Sequence, residues 1–440
     1  MKQIILSILV ILISVSATAQ TLSLKEAKEL ALKYNPDLLA QEEATKSSKN
    51  GLWQSYLNLI PSANLTGSYA KFNDPRTIGL ESADDSKSYG YSITQPVFNG
   101  GKIWLGARIA NDVYKISKES LNNKTLSTVA DVESKYFTVL ENKNLFEISQ
   151  KDLQSSQSNV EIAQVRYDSG SLSKAELLQF QSELASKEVS LIQRENLYEI
   201  SLLELANFLQ IDKVEELAEI PIEIHQPTLD LLSSKSLAEL DEMIEEIINI
   251  GEDSNPTLKI SEISIRTNKK SLLMAGGNFL PSVNLQYSNN WSKYDFQEDY
   301  NESGQLGVNL SVPIFPLVNN GLEVAKANHN LKQSKYSFES ASDAIKLSLQ
   351  SSLINLVASA KTVKSSKLAM EYSMETYEQM QERFTLGVIT ANDLLSVEVM
   401  FTSAQNQYTS SFYNFLRAKS TLQLLMGTSD SQVLEDIISN

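Results

Sequence analysis

The sequence predicts a mainly α-helical, tandemly duplicated chain with long coiled-coil-like helices and two pairs of strands suited to a membrane β-barrel. Three observations carry that prediction. Segments return at a near-constant offset, apolar residues recur at every seventh position, and short stretches alternate apolar with polar side chains. "NLIPSANL" (58–65) returns as "NFLPSVNL" (278–285) and "NPDL" (35–38) as "NPTL" (255–258), both 220 residues later. "TQPVF" (94–98) returns as "SVPIF" (311–315), and "VRYDSGSLSKAELLQFQSEL" (165–184) as "ERFTLGVITANDLLSVEVMF" (382–401), both 217 residues later. The second copy thus loses three residues between Pro281 and Pro313, a loss expected in the loop between two strands. Each copy is about 200 residues, far longer than a solenoid repeat, so the chain is two halves of one object.

Taken in order, "MKQIILSILVILISVSATAQ" has a basic start, an apolar run from Ile4 to Val15 and Ala17-Thr18-Ala19. This is the pattern of a secretory signal peptide cut after Ala19, and the run is shorter than the roughly 20 residues a spanning helix needs. No later stretch has the length and apolarity of a spanning helix. The first repeat is expected over 20–210, with strands near 62–72 and 88–97 and long helices near 101–166 and 173–209. An acidic connector follows over 211–250, with a small helix near Leu237–Ile250. The second repeat covers 251–427, with strands near 282–293 and 304–313 and helices near 321–383 and 390–426; a tail, 428–440, closes the chain.

The helices carry the seven-residue repeat. Val132, Val139, Phe146, Leu153 and Val160 form one seam, and Leu349, Leu356, Val363, Met370 and Tyr377 form its copy. After the Gly turn come Leu177, Leu184, Leu191, Tyr198 and Leu205, matched by Leu394, Phe401, Tyr408, Phe415 and Leu422. A sustained heptad of this kind implies left-handed supercoiling. The flanking faces are polar, which suits a wall one helix thick, wet on both sides. In the strands, Leu65, Tyr69, Tyr89, Tyr91, Ile93, Leu285, Tyr287, Leu306, Val308 and Leu310 fall on the apolar alternation. Strands of about 9–11 residues with one apolar face fit a lipid-facing barrel, and a soluble hairpin on a core is the competing reading. Tyr69, Phe72, Tyr89, Tyr91, Trp291 and Tyr294 are candidates for an aromatic girdle. Four strands cannot close a barrel and open edges are not tolerated in lipid, so several chains must share one.

Taken together, "NPDLLA", "LIPSANLTGSY", "YSITQPVFNGGK", "RYDSGSLSKAELLQFQSEL" and their partners resemble the outer-membrane efflux protein family, the TolC-like channels. The likeness runs from about Ala27 to Met426. It implies a homotrimer with a shared twelve-stranded barrel in outer-membrane lipid and a periplasmic α-barrel. It also implies helix-turn-helix tips that meet a periplasmic adaptor (a membrane fusion protein) and an inner-membrane pump of RND or ABC type. Under that likeness Glu176 and Asp393 are candidates for a constriction or gate, with Ser396 standing where a second acid is expected. Arg166, Gly170, Ser171, Leu172, Arg383, Gly387, Val388 and Ile389 are candidates for adaptor docking.

The residues alone also offer plainer roles. Ser173-x-x-Glu176 and Thr390-x-x-Asp393 have capping-box spacing, Gly170 and Gly387 suit helix C-termini, and Arg166 and Arg383 suit the C-terminal dipole. The paired glycines at 100–101 and 276–277 fit no phosphate loop and read as breaks beside strands. The two histidines, His225 and His329, lie far apart without ligand spacing, so no metal, cofactor or catalytic residue is expected. The net charge of −16 argues against nucleic acid. The absence of Cys excludes disulfides and an acylated lipoprotein N-terminus. The leading expectation is a passive exit duct in the outer membrane of a Gram-negative bacterium, extending into the periplasm. A structural or adhesive trimeric coiled-coil surface protein is the alternative, which explains the helices but leaves the strand pairs without a purpose.

Overall fold

The computed structural model describes residues 21–315 and 317–439, so the leader sequence lies outside the described residues. Two short helices, α1 (Leu24–Tyr34) and α2 (Pro36–Leu57), lead to strands β1 (Ser62–Ile78) and β2 (Glu81–Asn99). The hairpin of α3 (Lys102–Asp168) and α4 (Lys174–Leu209) follows. The second copy repeats this order with α7 (Pro256–Gly276), β3 (Ser282–Tyr294), β4 (Asn301–Ser311), α8 (Leu317–Thr385) and α9 (Ala391–Met426). Between the copies lie α5 (Ile222–Ser234) and α6 (Leu237–Ser254), and α10 (Ser431–Ser439) ends the chain.

The repeated Asn-Pro motif is a helix start. Asn35 caps α2 by accepting from the backbone of Asp37 and Leu38, and Asn255 caps α7 by accepting from Thr257. The following Pro occupies the first helical turn, where its missing N–H costs nothing. At 67 and 69 residues, α3 and α8 are each about 100 Å long. All twenty seam residues are buried or half-buried. Phe146 stacks on Tyr198 across α3 and α4, and Tyr377 stacks on Phe401 across α8 and α9. Asp112, almost fully buried on α3, pairs with Lys270 and, at 3.3 Å, with Arg266, tying α3 to α7.

The four strands form one antiparallel sheet in the order β1-β2-β3-β4, leaving β1 and β4 as edges. One face carries Leu65, Ile93, Leu285, Leu306, Val308 and Leu310, and nothing covers it: Leu65 is 84% exposed and Val308 68%. Toward the hairpin ends the same face turns aromatic. Tyr89 stacks on Trp291 at 5.3 Å and meets Tyr300 at 5.1 Å, and Tyr91 packs beside Tyr287. Glu302 stands beside Trp291 in that row, and further along the same face come Lys87 and Lys293 and then Lys71. The opposite face is polar, with Ser68 and Ser88 hydroxyls paired at 2.8 Å and Asn309 donating to Gln286.

Where helix meets strand, the two copies touch backbone to backbone. Gly100, at φ +55°, lies so close to Gly277 that a Cβ on either would overlap the other's carbonyl. This is why the sequence breaks with glycine beside both strand pairs.

Several expected boundaries move. The strand β1 extends beyond 72 to Ile78 and β2 begins at Glu81 rather than near 88, because the ladder continues past a bulge between Lys71 and Arg76. Pro75 sits in that bulge on an edge strand, where its missing donor is tolerated. The strand β4 lies two to three residues earlier than expected, and α8 begins at Leu317 rather than near 321. The connector holds two helices instead of one. Pro227 within α5 obscured the first, which is held by Leu229 and Leu232 in the core. The tail is also a helix, docked through Leu434, Ile437 and Ile438.

Candidate functional site

The two turns at the ends of the long helices have the same construction. In the first, Ser171 N–H donates to Arg166 O at 2.8 Å and Gly170 N–H to Tyr167 O at 2.9 Å. In the second, Val388 N–H donates to Arg383 O and Gly387 N–H to Phe384 O, at 3.0 and 2.9 Å. This is a Schellman ending, and it needs the left-handed backbone that Gly170 (φ +78°) and Gly387 (φ +77°) adopt. The next helix starts at once with a full capping box. Ser173 accepts from Glu176 N–H while the Glu176 carboxylate accepts from Ser173 N–H at 2.9 Å. Thr390 and Asp393 repeat this, with Asp393 reaching both the backbone N–H and the hydroxyl of Thr390. The Ser173 backbone N–H holds the Glu176 carboxyl below its ordinary range, helped by the Ser173 hydroxyl and then by Arg166 and Ala391 N–H. The Thr390 hydroxyl and then its N–H do the same for Asp393.

Residues expected at the exposed tip divide. Gly170, Ser171, Gly387 and Val388 are exposed, and the exposed Leu386 joins them. Leu172, in contrast, is buried and Ile389 half-buried. They form the apolar contact that accompanies this kind of helix ending, within a small core of Ala163, Leu177, Phe180, Phe384, Ala391 and Leu394. Leu172 therefore cannot present its side chain to a partner.

Arg166 does more than close its own helix. It crosses to the second hairpin, donates from Nη1 to Phe384 O at 2.8 Å and lays its guanidinium 4.6 Å from the Phe384 ring. Phe384 itself packs on Phe180 of α4. Arg166 is thus a cationic cap on the C-terminus of α8. Arg383, its copy, is exposed.

Above the tips, α3 packs along α9 through polar contacts. Asn159 donates to Glu398 at 3.0 Å, Asn144 donates to Tyr413 at 2.9 Å and Arg417 donates to Glu141 at 2.6 Å, while Ser155 of α3 pairs with Tyr377 of α8 at 2.7 Å. Glu398 is 3% exposed and faces Lys187 and Glu183 of α4 and Asp152 of α3, with Tyr377 of α8 nearby. One lysine serves three carboxylates. Among the described residues, Glu398 Oε1 and Asn159 Oδ1 find no hydrogen-bond partner. Burial pushes the Glu398 carboxyl from its ordinary 4.5 up to about 7, with Lys187 opposing and the two acids adding. Burial likewise raises Asp152.

A carboxyl whose pKa is higher in the fold than in the unfolded chain binds its proton more tightly when folded. Its contribution is full below about pH 4.5 and is lost as the pH rises toward about 7, a change of at most about 3 kcal/mol per chain. The thermal unfolding midpoint is therefore expected to fall between pH 5 and pH 8. Glu398→Gln should flatten that dependence and raise the midpoint at pH 8. An undiminished slope in the variant would place the titration elsewhere. The pattern was hidden in the sequence because Glu398 and Lys187 read as polar faces of seamed helices; packing of one hairpin on the other buries them.

The girdle candidates divide by sheet face. Tyr69, Tyr89, Tyr91 and Trp291 share the apolar face, but Tyr294 pairs with Ser86 on the polar face and stacks on Phe296. Its even position matches the polar residues of β3, so the alternation itself excludes it. Phe72 falls in the bulge, where alternation breaks. Tyr287 and Tyr300 take their place at that end, and the exposed Phe98, Phe279 and Phe315 lie at the helix end of the sheet. Among the described residues no helix is long and apolar enough to cross a membrane.

Comparison with known proteins joins the sheet and the tips. The family model "Outer membrane efflux protein" matches residues 28–209 and again 248–428, one match for each copy. The chain belongs to the outer membrane efflux protein family. Among its relatives, the outer membrane protein TolC of Salmonella enteritidis is 21% identical over 436 residues, covering 95% of this chain and 84% of that protein. The alkaline protease secretion protein AprF of Pseudomonas aeruginosa is 22% identical over 441 residues, covering 96% and 88%. Among solved structures, CusC superposes with a TM-score of 0.80 at 15% identity, covering 92% of both chains. The CmeC outer membrane channel of Campylobacter jejuni superposes with 0.76 at 16%, covering 94% of this chain and 89% of that one. Both solved structures thus share the fold over nearly the whole of this chain.

Proposed function

We infer that the protein is the outer-membrane exit duct of a tripartite efflux or type I secretion system. The observation that carries this is an unclosed four-stranded sheet with an uncovered apolar face, joined to helices about 100 Å long that end in paired tips. Three copies supply twelve strands and satisfy both edges, as lipid requires. Their polar sheet faces line the lumen, and the aromatic end of the apolar face sits at the membrane boundary. The helices continue the duct into the periplasm. The leader, 1–19, takes the chain across the inner membrane and is removed. The tips, through Gly170, Ser171, Leu386, Gly387 and Val388, dock a periplasmic adaptor that connects to an inner-membrane pump of RND or ABC type. Energy comes from the pump, and the duct itself is passive and performs no catalysis. A coiled-coil adhesin would use the helices but has no need of the sheet.

Glu176 and Asp393 stand at the narrow mouth, held in place by their caps. Reconstituted in a planar bilayer, the particle is expected to conduct ions with a small current in its closed form. Asp393→Asn and Glu176→Gln should raise that current and lower the preference for cations, since a ring of carboxylates favours cations. A particle that carries no current in any form would contradict the duct. Unchanged current and selectivity in both variants would remove the two acids from the mouth.

A further inference from the structure

The contact between the two tips of one chain uses only half of a duplicated set of residues. Arg166, on the first hairpin, crosses to the second and donates to Phe384 O at 2.8 Å, and Glu176 on the first hairpin lies toward Ala391 on the second, whose N–H favours its ionised form. Moving each residue by the 217-residue offset gives a second set, in which Arg383 and Asp393 on the second hairpin would reach Tyr167 and Lys174 on the first. Within one chain that contact is not made. The exposures follow this division. Phe384 and Ala391 are fully buried and Arg166 and Glu176 half-buried, whereas Arg383, Asp393, Tyr167 and Lys174 are all exposed.

We propose that these four residues meet across the boundary between neighbouring copies of this chain. Arg383 caps the C-terminus of α3 in the next copy, donating to the carbonyl of that copy's Tyr167, and Asp393 pairs with that copy's Lys174. The chemistry is complementary at both points. The Tyr167 carbonyl already accepts from Gly170 N–H, as the Phe384 carbonyl accepts from Gly387 N–H, and each keeps a second lone pair for a guanidinium. Lys174 stands 5.3 Å from the Tyr167 ring, beside the carbonyl to be capped. The same division extends along the helices above the tips. The intra-chain packing of α3 on α9 maps onto α8 against α4 of the next copy. There the exposed apolar residues Leu347, Ile354 and Leu368 of α8 find Val189, Ile200 and Leu203 of α4, likewise exposed. Three internal and three external contacts then alternate around the mouth, and each tip is capped by the one before it.

This inference rests on the trimeric duct, so its test begins with particles whose mass is three protomers. The natural chain has no Cys, so only introduced thiols react. Lys174→Cys with Asp393→Cys, treated with a short bis-maleimide, is expected to join chain to chain and give covalent dimers and trimers on a denaturing gel. Asp37→Cys with Lys124→Cys, an accessible pair that meets within one chain, should react with the same reagent and leave monomers. Hydrogen exchange gives a second reading that needs no cross-link. Arg383→Ala should speed exchange at 166–171, in helices its own chain does not place beside it, and Arg166→Ala should speed it at 383–388. Trimeric particles in which the first pair gives no chain-to-chain product, or in which Arg383→Ala leaves 166–171 unchanged, overturn the inference while leaving the duct intact. Particles that are not trimers overturn both.

Discussion

Val308→Lys is expected to prevent stable assembly in the outer membrane, whereas Asn309→Lys, one residue on, is tolerated. Val308 lies between Leu306 and Leu310 on the uncovered face of β4, opposite Leu285 of β3. A lysine on the lipid face near the bilayer midplane costs about 2–4 kcal/mol, and a three-chain barrel incurs that cost three times. Asn309 points to the other face, where its amide donates to Gln286 in a row of polar side chains. A lysine there stays in water and should change only ion selectivity. Heat-modifiable migration of membrane extracts would read both variants. Equal assembly of the two would mean that the apolar face does not meet lipid.

Gly277→Val is expected to disrupt the junction between helices and sheet. Its Cβ would overlap the carbonyl of Gly100, and neither partner is a side chain that can swing away. Gly100 in turn holds φ +55°, a left-handed backbone that favours glycine, so a side chain on that partner would be strained as well. Overpacking usually costs about 1–3 kcal/mol, and a backbone-to-backbone clash belongs at or above the top of that range. Gly276→Ala is the control. It closes α7 with nothing within 4 Å of the added methyl, and alanine there restricts the unfolded chain, so stability should hold or rise slightly. The thermal midpoint of the assembled particle separates the two. A midpoint in Gly277→Val close to that of the control would show the junction to be looser than the close approach implies.

The fold was legible in the sequence wherever a pattern repeats with a physical period. The heptad picked out twenty residues that pack inward, and the two-residue alternation picked out the face that faces outward. The offset between copies placed both turns, both strand pairs and both Asn-Pro helix starts. What stayed hidden depends on which copy-equivalent residues meet. Arg166 reads as a basic residue at a helix end, and nothing near it in the chain points to Phe384, more than two hundred residues away. Leu172 reads as a tip residue until the Schellman turn folds it under. Glu398 and Lys187 read as surface charges until the hairpins come together. Tyr294 differs from these: its parity along β3 already assigned it to the polar face. The helix α5 was masked by Pro227, which breaks the local pattern but not the burial of Leu229 and Leu232.

One chain contributes four strands to a barrel it cannot close alone. The mass of the detergent-extracted particle from outer membranes tests it most directly. Three protomers are expected, because three four-stranded sheets pair edge to edge and leave no strand unpaired in lipid. A stable monomer in that extract would contradict the shared barrel.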